Sequence, residues 1–160
     1  MGDEVLEGSC SCGAVRYRLR SKPMIVHCCH CTQCQRHTGS AFVINAIIEG
    51  DRVELLCGDP VAVAGPSESG RPHDIYRCPS CHVALWSDYG RRRNYRFVRV
   101  GTLDRPAALP PDVHIFLRSK QPWVGLPQGA RTYEAFYEKL EDVWTSEALA
   151  RRKVALEAPR

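Results

Sequence analysis

Short runs of alternating apolar and polar residues fill the first three quarters of the chain, and their period of two is that of a half-buried strand. In residues 14–19, Val15, Tyr17 and Leu19 fall on one face. Comparable runs at 24–26, 42–48, 52–56, 74–77, 83–86, 95–100 and 113–117 each predict a strand. Turn-rich segments separate them, notably Gly58-Asp59-Pro60, residues 65–72 and residues 105–112. With no long helices alternating among them, these strands predict a mainly β, sandwich-like or barrel-like body. The pattern changes at Tyr133. Phe136, Leu140, Val143 and Trp144 recur at helical spacing, and 146–157 is rich in Ala, Leu, Glu and Arg. The reading is a β domain over 4–132 and a C-terminal extension of one or two helices over 133–160. Packing of that tail on its own domain is preferred to a homodimer contact, and Ala158-Pro159-Arg160 should fray.

A chain of 160 residues is by default one domain with enough length for a core. Its longest apolar stretch, 41–48, is too short to span a bilayer. The start, Met1-Gly2-Asp3-Glu4-Val5-Leu6, is acidic where a signal peptide is basic, and Leu6 stands where a myristoylation motif wants Ser or Thr. A cytoplasmic protein with reduced thiols is the expectation.

Seven of the nine cysteines then change the picture, because they cluster as Cys10/Cys12, Cys29/Cys31/Cys34 and Cys78/Cys81. Two cysteines spaced by two in extended backbone share a face, so Cys10 and Cys12 can chelate together. Cys78-Pro79-Ser80-Cys81 is a CxxC knuckle, the common half of a structural zinc site. Those two halves make one four-thiolate set. In Cys29-His30-Cys31-Thr32-Gln33-Cys34 a CxC is fused to a CxxC, which can close three sulfurs on a second ion. Four protein ligands make zinc a closed structural ion, while three leave a position open for chemistry. The competing partition exchanges the pairs, joining Cys78 and Cys81 to two of the middle cysteines. Disulfides fit poorly with the odd count and the CxC and CxxC spacings, and the middle run has neither ferredoxin spacing. Cys28 points to the face opposite Cys29 and is expected to pack inward. Cys57, in an apolar strand-like run, reads as a small buried hydrophobe. With seven thiolates and two Zn2+ ions the formal charge of +4 falls to about +1, which leaves little pull on nucleic acid.

The pattern Gly8-x-Cys10-x-Cys12-Gly13-x-Val15, then Cys29-His30-Cys31-x-x-Cys34-Gln35-Arg36-x-Thr38-Gly39-Ser40, then Cys78-x-x-Cys81, then His114-Ile115-x-x-x-Ser119-Lys120-x-x-Trp123, resembles the glutathione-dependent formaldehyde-activating family, also called the Gfa or centromere-protein-V family. The resemblance runs from about Gly8 to Trp123. It implies a β-rich, tent-like, Mss4-like fold with two zinc ions. Cys10, Cys12, Cys78 and Cys81 match the family's structural ligands, and Cys29, Cys31 and Cys34 its catalytic ones. The implied activity is formation of S-hydroxymethylglutathione from glutathione and formaldehyde, a carbon-sulfur lyase reaction in reverse. Three thiolates leave a zinc centre with a net charge of about −1 and weak Lewis acidity, so stabilising a bound thiol as thiolate is favoured over polarising the aldehyde. The sequence departs from the usual knuckle at His82, where glycine would relax a positive-φ turn; a re-aimed turn is preferred there over an extra ligand.

Structural hydrogen bonding is the expectation for His27, His30, His37, His73 and His114, and Trp123 and Phe42 are read as core or pocket walls. Glutathione has two carboxylates, for which Arg91-Arg92-Arg93 is the obvious guanidinium source, although a solvated loop is their default. The same arginines with Arg96, Arg99, Tyr95 and Phe97 could instead track phosphates, which would make the protein a zinc-stabilised binding module for nucleic acid or a protein partner. Strand alternation would split that strip across two faces.

Overall fold

A computed structural model of the chain describes residues 5–159. The acidic start at Met1 to Glu4 and the terminal Arg160 of the expected frayed end lie outside those residues. Ten strands and two α-helices form a mainly β body. Strands β1 (Leu6–Ser9), β2 (Arg16–Leu19) and β5 (Val53–Cys57) make a three-stranded sheet in the order β1-β2-β5. The remaining strands are β3 (Ile25–Cys29), β4 (Val43–Glu49), β6 (Val61–Gly65), β7 (His73–Arg77), β8 (Ala84–Tyr89), β9 (Tyr95–Arg99) and β10 (Val113–Ile115). They form a seven-stranded sheet ordered β10-β3-β4-β9-β8-β7-β6. All its pairings are antiparallel except β10 on β3.

Alternation explains the small sheet directly. Val15, Tyr17 and Leu19 are fully buried, while Arg16 and Arg18 point outward to Glu7 on β1. Gly8 is needed because a Cβ there would lie 2.6 Å from the Tyr17 ring and from the Thr102 carbonyl oxygen. In the large sheet β3 is buried along its whole length, so its two faces serve two cores. Ile25 and Cys29 join the cluster with Val113, Tyr137 and Trp144, whereas Val26 joins Tyr17, Leu85 and Trp86.

Several elements differ from the expectation. Strands β1 and β6 are additional; β6 is exposed along most of its length at a sheet edge, with no buried face to show in its pattern. Cys57 is exposed, not buried, because it ends the edge strand β5 and faces out, its Sγ 3.3 Å from the Ala14 carbonyl oxygen. Trp123 is likewise 74% exposed and outside the core. Residues 133–144 are not helical. Their backbone is committed to β10, with Tyr133 N donating to His114 O at 3.0 Å and His114 N to Arg131 O at 2.8 Å. Only a single 3-10 turn, Leu140–Asp142, forms in that stretch. Helix α2 (Ser146–Glu157) follows, started by Thr145, whose hydroxyl accepts from Ala148 N at 3.1 Å. Its Ala148 and Ala155 pack with Tyr137, Val143 and Trp144 in the same cluster as Cys29, Cys31 and Cys34.

Candidate active site and metal centres

The connection from β1 to β2 and the turn from β7 to β8 bring four sulfurs together. Cys10, Cys12, Cys78 and Cys81 place their Sγ atoms within 4.8 Å of one another. Each turn is closed by a hydrogen bond of the same spacing: Cys10 N donates to Val15 O and Cys78 N to Val83 O, at 3.1 and 3.0 Å. Each also bends through left-handed backbone just after its second cysteine, at Gly13 (φ 76) and His82 (φ 61). The re-aimed turn expected at His82 is thus a strained one, and its ring is exposed and outside the sulfur group. Sulfur separations of 3.6 Å (Cys10 to Cys12) and 3.7 Å (Cys12 to Cys78) are close to the ~3.8 Å edge of a zinc-thiolate tetrahedron. One pair comes from the small sheet and the other from the large one, so an ion here would fasten the two sheets.

The middle cysteines meet differently from an extended run. Cys29 ends β3, Cys31 caps helix α1 (Thr32–Thr38) and Cys34 lies in its first turn. Cys31 Sγ accepts from Cys34 N at 3.3 Å. The helix stops at Gly39, which takes φ 62. All three cysteines are buried, with sulfurs within 4.8 Å of one another. Hydrogen bonds from Cys29 and then Cys34 hold the Cys31 thiol far below its usual range, while Cys29 is pushed far above it by Cys31 and Cys34. For Cys34, a hydrogen bond from Cys29 and the charge of Arg99 favour the thiolate, but Cys31 and burial outweigh them and push it up to about 12. The first proton therefore leaves easily and the next ones do not, the behaviour of a thiol set that needs a cation to become fully ionised.

Gln35 of α1, with Ser119 and Gln121 further along the chain, braces this loop. Gln35 Nε2 donates to the carbonyls of His30 and Ser119, both at 2.8 Å, and Ser119 Oγ donates to His30 O at 3.0 Å. Gln35 Oε1 in turn accepts from Gln121 at 2.8 Å.

A cavity of about 490 Å³ opens beside the three cysteines, a size suited to a small ligand. His73, Arg71, Arg92 and Arg152 contribute to its wall. Of these, Arg92 belongs to the basic cluster singled out in the sequence. Arg71 sits in a loop read only as turn-rich, and Arg152 on α2, read only as packing; no short-range pattern could have placed them together. His73 is more than a structural hydrogen-bonding residue. It stacks on Tyr89 with ring centroids 4.1 Å apart, its Nδ1 lies 3.4 Å from Pro66 O, and its buried Nε2 has no partner within the protein. Burial, then the Arg99 charge, bring it down to about 4, so the ring is neutral near pH 7. His27 on the same wall is also brought down to about 4 by burial, and its Nε2 is 2.9 Å from Tyr137 Oη.

Arg91 and Arg93 of the phosphate-tracking strip are exposed, but the strip is not continuous on the surface. Arg99 is 5% exposed and bonded to Asn45, Arg96 reaches the buried Asp88, and Arg91 lies 3.6 Å from Asp74.

The chain matches the model of the glutathione-dependent formaldehyde-activating enzyme family over residues 5–119. It belongs to that family. A Halomonas elongata relative named for the same family is 30% identical over 125 residues, which cover 75% of this chain and 80% of its own. A solved structure of a Rhodobacter sphaeroides protein aligns with 61% of this chain and 87% of its own length at 17% identity, with a TM-score of 0.44. Gln35 and Ser119, which brace the site, both belong to the sequence pattern that carries the resemblance to this family. Among the described residues no helix is long and apolar enough to cross a membrane.

Proposed function

We propose that this family member joins a small thiol, glutathione, to formaldehyde or a related aldehyde, giving an S-hydroxymethyl thiol, and catalyses the reverse cleavage as a carbon-sulfur lyase. The observation that carries this reading is the convergence of Cys29, Cys31 and Cys34 on the wall of a cavity of about 490 Å³ that His73, whose Nε2 has no hydrogen-bond partner, also lines. Both sets of converging thiols fit a zinc ion: Cys29, Cys31 and Cys34, all buried, would hold a catalytic one, and Cys10, Cys12, Cys78 and Cys81 a structural one. Zinc bound by three thiolates supplies a positive centre that favours the ionised form of an incoming thiol.

The chain's own groups supply the rest. His73 Nε2 carries the lone pair when Nδ1 donates to Pro66 O, so it accepts the substrate thiol proton as sulfur attacks the aldehyde carbon. The carbon-sulfur bond forms, the carbonyl π pair moves to oxygen, and that oxygen takes the proton back from His73. No atom is gained or lost beyond the two reactants. Arg71, Arg92 and Arg152 offer guanidinium forks to the two carboxylates of glutathione. Tyr89, Phe97 and Phe116 keep water away from the adduct, which would otherwise exchange with solvent.

The test is exchange NMR on glutathione and formaldehyde at equilibrium. The protein should speed exchange between free and hydroxymethylated glutathione, and Cys34→Ser should return it to the spontaneous rate. Exchange no faster with the zinc-loaded protein than without it defeats the proposal for this substrate pair.

A further inference from the structure

Beyond the two cysteine sets, the described residues contain a third convergence of metal-binding side chains: Cys28, His30 and His114. Strand pairing creates it. In the parallel ladder of β3 and β10, His114 lies directly opposite Cys28. Their neighbours Cys29, Val113 and Ile115 pack into the other core, so Cys28 and His114 share the face turned away from the cavity thiols. His30, one residue beyond β3, returns to that face.

The three side chains are buried, with exposures of 1%, 0% and 8%. His30 Nε2 lies 3.1 Å from His114 Nδ1 and 3.5 Å from Cys28 Sγ. A neutral ring nitrogen has one hydrogen or one lone pair to offer, yet this one faces two partners. The opposite nitrogen, His30 Nδ1, has no partner within the protein, so Nε2 is the ring's one anchor. Hydrogen bonding alone under-serves the trio. Zinc does not: tetrahedral bonds of about 2.0 Å to nitrogen and 2.3 Å to sulfur put N···N near ~3.3 Å and N···S near ~3.5 Å. His30 already stands at about those distances from both partners, and Cys28 and His114 bring their ligand atoms within 4.8 Å of each other. His114, the least buried member, lines a surface groove with Pro110, Pro111 and Arg131, which gives an ion a way in.

We propose that Cys28, His30 and His114 form a third metal site, taking zinc or another borderline divalent cation through one sulfur and two imidazole nitrogens. Its occupant ties β10 to the loop that presents Cys29 and Cys31, on the opposite side of the sheet from the thiol chemistry.

The experiment is titration of the metal-free full chain with Co2+, comparing the parent with Cys28→Ala and His114→Gln. Each variant should take up one equivalent fewer than the parent. For Cys28→Ala the thiolate charge-transfer band should fall by the share of one cobalt-sulfur bond, and for His114→Gln by no more than that. Equal uptake by parent and Cys28→Ala overturns the proposal. So does a loss of band intensity worth three sulfurs, which would locate the missing ion at Cys29, Cys31 and Cys34. Should His114→Gln lack the parent's far-ultraviolet circular dichroism, Cys28→Ala decides alone. The readout is metal uptake, independent of whether the protein acts on formaldehyde adducts.

Discussion

The side-chain amide of Gln35 donates to the carbonyl of His30 at 2.8 Å, tying the first turn of α1 to the residue between two of the cavity cysteines. A second bond from the same amide reaches Ser119 O. The Gln35 side chain's hydrogen bonds go to His30, Ser119 and Gln121, not to a sulfur, and they fix the loop on which Cys29 and Cys31 are spaced. Replacement by Ala should weaken zinc at the cavity site by roughly 10–100-fold, as loss of an outer-shell partner does. Competition against a chromophoric chelator reads this directly, and an unchanged affinity would show that the loop holds itself.

The two cysteine sets should separate in a stability measurement. Cys78→Ser removes one corner of the fastening between the sheets, and structural zinc contributes folding free energy outright. Thermal unfolding should shift down by at least about 10 °C, the scale of a loss of several kcal/mol in a domain this size. Cys34→Ser should move the midpoint far less while abolishing thiol exchange. Equal shifts in the two variants would contradict the assignment of one set to structure and the other to chemistry.

His73 should reveal itself in rate. His73→Gln retains a polar side chain of similar reach but no basic nitrogen, and should slow thiol exchange roughly 100-fold at pH 7. Because burial and the Arg99 charge bring the ring down to about 4, its base form is present throughout the neutral range. The parent rate should show no inflection near pH 6.5 attributable to this residue. A variant that exchanges at the parent rate would move the proton transfer to solvent or elsewhere.

Acid should destabilise the fold in two stages. Buried His73 is held neutral, with a folded value below the unfolded 6.5, so its contribution is complete above pH 6.5 and declines as pH falls through that point. Glu49 follows. Burial alone would raise its carboxyl, but Arg151 binds it through two nitrogens at 2.8 and 2.6 Å and leaves it below 4.5. That contribution is complete above pH 4.5 and is lost as pH drops toward the lowered folded value. In Arg151→Met the second stage should shrink, and stability at pH 7 should fall by about 2–4 kcal/mol because the buried carboxylate keeps only Arg52, at 3.5 Å, as a cationic partner. Urea titrations at pH 7, 5.5 and 4 separate the stages.

His82→Gly should stabilise the protein. The residue sits at φ 61 with its ring in solvent, and glycine relieves a left-handed strain of about 1–2 kcal/mol against its own larger unfolded-state entropy. A net gain of about 0.5–1 kcal/mol in chemical denaturation is expected; a loss would mean the ring makes a contact worth more than the strain.

Much of this was legible from residue order because period two is a strong signal where one face is buried. Val15, Tyr17 and Leu19 are an instance, each fully enclosed. The cysteine grouping was legible for a similar reason, since ligands two or three residues apart carry their geometry with them. What failed was decided at a distance. Residues 133–144 have helical spacing, but β10 claims their backbone from outside the segment. The residue pattern predicts no element for helix α1, because its seven residues are too short for helical periodicity to show, although Gly39 marks its end. Cys57 looked like core because its neighbours are apolar, and only the sheet order shows that it lies at an edge. The wall shared by His73, Arg71 and Arg152 has no sequence signature, since Arg152 comes from the last helix and the other two from the β6 to β7 hairpin.

The parallel seam between β3 and β10 has a consequence for synthesis. Val26 at one side of it is bonded to Asp112, 86 residues further along. At about 5–20 residues per second, a ribosome needs roughly 4–17 s to deliver the second strand after the first. During that interval a nascent chain carries an apolar strand with one open edge and neighbouring thiols that nothing yet shields. Newborn molecules should then be more vulnerable to oxidants and to one another than mature ones.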